Sequence, residues 1–263
     1  MRAVSHAAVP SARSMIFSSS RISSTASAAQ ESGSSDDRTS ISTRVRQSST
    51  GASPADILAA NADTSQAAQA ADDSDNAGVY DASAQSTTTI TASGDSVDVA
   101  GGAADDVAVD SADGTTITIT ASGTYVVTGG LDNGRVIVAA DDADVHLILA
   151  GASITSADGP AIDIQDAGSA VLVLAEGTTN TLADGSTYAA GEDAATAALS
   201  SSDTITITGT GSLNVTGSYN DGISSKNGLV ITGGTTITVD AVDDGLRGKD
   251  YLLVSGGTLT ITA

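Results

Sequence analysis

Asp221 and Asp244 each open a nearly identical passage: "DGISSKNGLVITGGTTITV" and "DGLRGKDYLLVSGGTLTIT". The offset is 23 residues, and Gly222/Gly245, Lys226/Lys249 and Gly233-Gly234/Gly256-Gly257 coincide at it. Asp243, Asp250, Asn220 and Asn227 stand close by. Calcium takes roughly six to eight oxygens from carboxylates, amides and backbone carbonyls. Carboxylates stacked one coil apart repel each other, and a bound cation removes that penalty. The expected chemistry is therefore calcium binding, with Asp221, Asp243, Asp244, Asp250 and Asn220 as expected ligands. Asp-Gly and Asn-Asp-Gly are also ordinary turn formers, and no EF-hand loop or nonapeptide repeat accompanies them.

Lys226 and Lys249 are the lysines of this chain, at equivalent places in the two passages, and Arg247 lies two residues before Lys249. Ion pairing with the neighbouring Asp residues is one reading of these cations. The other is contact with an anionic sugar, with Lys226, Arg247, Lys249 and Tyr219 as the expected ligand-binding residues. No catalytic residue is expected for a binding protein. If the chain were a lyase, Lys226 or Lys249 would be the base. A lysine acts as a base only when neutral. Nearby carboxylates favour its charged form, and a calcium ion in the same site opposes that.

These residues must be held by something repetitive. A weaker copy, "LSSSDTITITGTGSLNV", begins at Leu199, 24 residues upstream of Ile223. Repeats of about 20–30 residues built from short strands and glycine turns mark a solenoid. Further upstream, Val136–Gly151 and Ile162–Gly177 repeat at 26 residues, aligning Val145 with Val171 and Leu147 with Val173. From about Thr87, Thr alternates with Ile or Val, so Ile points to one face and Thr to the other. At about 24 residues per coil, the domain should hold about seven coils. Residues 183–198 break the rhythm and read as a loop inserted between coils.

The flanks read differently. Residues 1–50 are a Ser/Arg-rich leader expected to be disordered, and 51–85 an acidic Ala/Ser-rich linker with a short helix at Pro54–Ala71. Both should be dispensable for folding. The β-helix is expected over 86–263. Its last strand pattern runs to Ala263 without a visible cap, so the expectation is a solenoid that is truncated there.

Composition narrows the function classes. The chain has 263 residues, five Tyr, one Phe and no Trp, so its core must be aliphatic. Residues 51–263 carry 29 acidic and four basic residues. That balance argues against nucleic acid and anionic membranes, and favours cations. An acidic surface also serves solubility alone. No cysteine is present, which excludes disulfides, thiolate metal sites and cysteine catalysis. Two histidines, His6 and His146, make imidazole metal clusters improbable. No apolar run is long enough for a transmembrane helix, and residues 1–30 lack the apolar core of a signal peptide.

The stretches "ITASGTYVVTGGLDNGRVIVAADDADVHLILAGASIT", "AEGTTNTLADGSTY" and the paired "NDGISSK" and "DDGLRGKD" resemble bacterial secreted carbohydrate-binding proteins with a pectate-lyase-like parallel β-helix. The resemblance covers about Thr87 to Ala263. It implies a fold and calcium binding similar to family-nine polysaccharide lyases, with Asp221, Asp244 and Asp250 where the family places acidic residues. It also implies plant-type polysaccharide ligands and an extracellular or cell-surface location. The expectation is an all-β, single-stranded, right-handed parallel β-helix with a disordered N-terminal tail. Its expected function is calcium-dependent binding of polysaccharide, acidic glycans such as polygalacturonate first. A monomer is expected, with no nucleic acid partner. The rival readings are a polysaccharide lyase and a structural surface adhesin.

Overall fold

The computed structural model describes residues 4–8, 15–22, 87–188 and 195–263. The expected linker, its helix at Pro54–Ala71 and most of the leader lie outside the described residues. Two N-terminal strands, β1 (Val4–Ala8) and β2 (Met15–Ile22), precede the body of the domain. The body begins with β3 (Thr87–Ser93), β4 (Ser96–Gly101), β5 (Val107–Asp110) and β6 (Thr115–Ile119). Then come β7 (Gly123–Leu131), the long β8 (Gly134–Thr155), β9 (Ile162–Leu174) and β10 (Thr179–Ala183). After the inserted loop follow β11 (Ala197–Ser201), β12 (Ile205–Gly209), β13 (Ser212–Gly217) and β14 (Asp221–Ser225). The last four are β15 (Gly228–Ile231), β16 (Thr236–Ala241), β17 (Leu246–Val254) and β18 (Thr258–Thr262).

From β6 onward, strands pair in parallel with the strand one coil away, in three ladders. One runs β6–β8–β9–β11–β14–β17. A second begins at β3 and reaches the later half of β17 through β7, β8, β9, β12 and β15, seven levels in all. The third ends β10–β13–β16–β18. The chain is thus all-β and wound as a stack of parallel coils. Among the described residues no helix is long and apolar enough to cross a membrane.

Register explains the stack. Ile117, Val136, Ile162, Leu199, Ile223 and Leu246 pair in turn down the first ladder. Each is 0% exposed. Leu131, Ile154, Leu182, Val215, Val239 and Ile261 form a second buried column. Alternation within a strand produces both, because every second side chain faces inward. In β6, Ile117 and Ile119 are buried while Thr116 and Thr118 are partly exposed.

Three details differ from the expectation. Val145 pairs with Ala170 and Leu147 with Leu172, one residue short of the expected Val171 and Val173. The register shifts between Ala140 and Asp144, where Asp142 takes a φ of 51°. The first coil also turns back on itself: β3 and β4 pair antiparallel, as do β5 and β6. Gly94, at φ 63°, makes the two-residue turn between Ser93 and Ser96. Finally, two parts of the leader are strands rather than disordered chain. β1 runs antiparallel to β18, and β2 antiparallel to β17. The last coil otherwise presents a row of unpaired backbone groups, and these two segments satisfy it.

Deleting residues 1–22 should therefore uncover that edge. We expect a lower melting temperature and concentration-dependent self-association in sedimentation velocity. A truncated chain that melts like the full one and stays monomeric would show that the leader leaves the edge unprotected.

Candidate metal and glycan site

The two Asp-Gly passages meet at one corner of the stack. The carbonyl of Asn220 accepts from the amides of Val242 and Asp243, at 3.0 and 2.9 Å. Gly222 N donates to the Asp244 carbonyl at 2.9 Å. Glycine is required after each Asp because the backbone passes so close to the next column. A Cβ on Gly222 would lie 2.2 Å from Val239 Cγ1, and one on Gly245 2.3 Å from Ile261 Cγ2. The Asp-Gly pairs are thus packing devices as well as turn formers.

One carboxylate oxygen each from Asp221, Asp243 and Asp244 lies within 4.8 Å of the others. Asp221 and Asp244 are 0% and 1% exposed, while Asp243 is exposed. Asp221 Oδ1 accepts from Asn220 Nδ2 at 3.0 Å and from the Asp244 amide at 3.2 Å. Its Oδ2 has no hydrogen bond and faces Arg247 Nη1 at 3.5 Å. Burial pushes the Asp221 carboxyl above the usual carboxylate range, and Asp243 adds to that. The Asp244 amide and Arg247 pull the other way. A divalent cation fits such a donor set: two buried carboxylates, one exposed one and a nearby side-chain amide.

The expected residues divide by corner. Asp221, Asp243, Asp244 and Asn220 come together at the start of β14 and just before β17. Asp250 does not join them. It sits at the next corner, within β17, where its amide donates to the Asn227 carbonyl at 3.0 Å, and its side chain is exposed. Arg247 reaches back to Asp221, whereas Lys249 is exposed on β17. Tyr219 is 42% exposed and stacks on Tyr188, with ring centroids 4.3 Å apart. The Tyr188 hydroxyl donates to Asp184 Oδ2 at 2.8 Å, and the amide of Ser218 donates to Asp184 Oδ1. Burial, with the Asp184 hydrogen bond, pushes the Tyr188 hydroxyl above its ordinary value.

Lys226 lies just past β14 in a groove of about 400 Å³ that also exposes Arg135, Asp163, Gln165, Tyr188 and Ser202. Of these, the sequence pointed to Lys226 alone as a contact. Register brings Asp163 beside Ser200, which also lines the groove. Gln165 Nε2 donates to Asp163 Oδ2 at 2.8 Å. Burial raises the Asp163 carboxyl, against the opposing pull of Gln165, Lys226 and Arg135.

A carboxyl raised in the folded state binds its proton where the unfolded chain has already released it. Stability from this group therefore falls as pH rises from the ordinary carboxylate value, about 3.9, through the raised one. Asp163→Asn should flatten that part of the stability–pH curve, read from denaturant midpoints taken upward from the ordinary carboxylate value, about 3.9. A variant curve parallel to the wild type would show that Asp163 titrates normally.

A family model described as "Carbohydrate-binding domain-containing protein" matches residues 113–263. A search of curated proteins found no match. Among solved structures, the chain is similar to one described as "Structure of the polysaccharide lyase-like protein from C. thermocellum, Gadolinium derivative". The two are 29% identical with a TM-score of 0.53, over 59% of this chain and 62% of that one. The chain thus spans less than two thirds of that protein's length. The matched family segment runs from the turn before β6 to the last strand and contains the Asp221 corner and the groove. This chain belongs to the family of carbohydrate-binding domain-containing proteins.

Proposed function

We propose that this protein binds polysaccharide in a calcium-dependent manner, with acidic glycans such as polygalacturonate preferred, outside the cell or at its surface. The observation that carries the reading is the buried carboxylate pair, Asp221 and Asp244, joined by Asp243 within 4.8 Å. Ionised carboxylates in that position are costly unless paired. Arg247 offsets one of them from 3.5 Å. A calcium ion bound by Asp221, Asp243, Asp244 and Asn220 would offset all three and compete with Arg247 for Asp221 Oδ2. With Asp243 exposed, the ion keeps a side open for a sugar carboxylate. Lys249 is exposed at the corner inside β17 and adds positive charge for a polyanion. The winding of the coils is right-handed in this reading, as crossovers between parallel strands are.

The description of the C. thermocellum protein as polysaccharide lyase-like supports a second reading, β-elimination. There a lysine would take the proton α to the uronate carboxyl, and the glycosidic oxygen at the β carbon would leave, giving an unsaturated uronate. Lys226, inside the groove, is the better placed base, and Lys249 the alternative.

Chelation should lower the melting temperature of the full chain. Calcium at a hundredfold excess over its Kd should restore about 2.7 kcal/mol. Asp244→Asn should blunt that response. Melting curves that coincide with and without analytically confirmed metal would remove calcium from the assignment. Lys249→Ala should weaken retention on polygalacturonate about threefold to tenfold while sparing the calcium response. Release of unsaturated product from polygalacturonate, lost in Lys226→Ala, would replace binding by the lyase reading.

A further inference from the structure

The groove beside Lys226 has a chemistry of its own. Its volume of about 400 Å³ is that of a small-molecule site. Four coil levels build it. Arg135 comes from β8, Asp163 and Gln165 from β9, Ser200 and Ser202 from β11 and the residue after it, and Lys226 from the residue after β14. Tyr188, from the segment inserted between β10 and β11, lines it as well.

The walls offer donors and acceptors in nearly equal measure. Arg135 and Lys226 only donate, ionised Asp158 and Asp163 only accept, and Gln165, Ser200 and Ser202 do both. Formal charge cancels, two cations against two carboxylates. A carboxylate or phosphate entering here would meet Asp158 and Asp163 as well as the cations, and so gain little. An apolar ligand would strip these groups of water without replacing their hydrogen bonds. A pyranose ring has the complementary character. Each hydroxyl donates once and accepts twice, and the C–H face of the ring packs on an aromatic side chain.

The groups are also held in place before a ligand arrives. Arg135 Nη2 donates to Asp158 Oδ1 at 2.8 Å. Gln165 holds Asp163 at 2.8 Å, and Asp184 holds the Tyr188 hydroxyl at the same distance. Side chains fixed in this way lose little entropy on binding. We propose that this groove is a subsite for a neutral sugar residue, bound through its hydroxyls without a cation. This goes beyond calcium-dependent capture of uronates at the Asp221 corner and rests only on the membership in a carbohydrate-binding family.

The test is titration calorimetry of the full chain in excess chelator with neutral hexasaccharides of glucose, mannose and xylose, and with hexagalacturonate. At least one neutral hexasaccharide should bind, and Gln165→Ala and Lys226→Gln should each weaken it about tenfold. Both variants should remain folded and keep the wild-type calcium response. Absence of neutral binding in chelator, or binding unchanged in both variants, overturns the proposal. So does hexagalacturonate binding in chelator more tightly than every neutral chain and losing that binding in Lys226→Gln, since the groove would then be a carboxylate site. Loss of the calcium effect alone, with neutral binding intact, removes the reading at the Asp221 corner and leaves this one standing.

Discussion

Vertical register between coils governs everything else in this domain. Each coil must set an aliphatic side chain on the one before it, as Ile117, Val136, Ile162, Leu199, Ile223 and Leu246 do. With so few aromatics, no large side chain can fill a gap left by a slipped strand. A one-residue slip would turn an entire column outward. The same register that stacks leucines must stack whatever stands at the corners, so Asp221 and Asp244 are forced together. The acidic corner follows from the core that holds it.

That corner is costly, and its neighbourhood shows how the cost is contained. Asp221 Oδ1 takes two donors, Asn220 Nδ2 and the Asp244 amide. Its Oδ2 has only the longer approach of Arg247. Burial still dominates and raises the carboxyl. A structural ion pair alone would be served by one aspartate and one arginine. Three carboxylates gather here, two of them buried, and Arg247 approaches one of those two. The calcium ion proposed for this corner would bring the charge and oxygen preference that suit such a group of carboxylates.

The Asp221 corner was legible in the sequence because the coils there keep a constant offset. Ile223 pairs with Leu246 and Gly228 with Tyr251, both 23 residues apart, so aligned text became aligned space. Asp250 looked equivalent from composition but belongs to the corner inside β17, not the one before it. The groove was illegible for the opposite reason. Asp163 meets Ser200 across 37 residues, because residues between β10 and β11 are inserted in that coil. Asp163 and Ser200, the paired residues that line it, differ in type, so no ladder of like residues advertised it. The strands β1 and β2 were missed because low-complexity sequence carries no period, whereas an open edge accepts almost any extended backbone.

The inserted segment also ties the groove to the neighbouring corner. Tyr188, on that segment, is fixed by Asp184, and Asp184 is fixed in turn by the Ser218 amide. Tyr219, next to Ser218, stacks on Tyr188. The turn that carries Ser218 and Tyr219 is closed at Asn220, whose carbonyl takes the amides of Val242 and Asp243. Those bonds are backbone bonds and need no cation. The ring that lines the groove is therefore placed by the same turn that presents Asp221, through hydrogen bonds to Asp184 and the backbone. The sugar subsite proposed for the groove and the cation site proposed for the corner would thus share a scaffold without sharing a ligand.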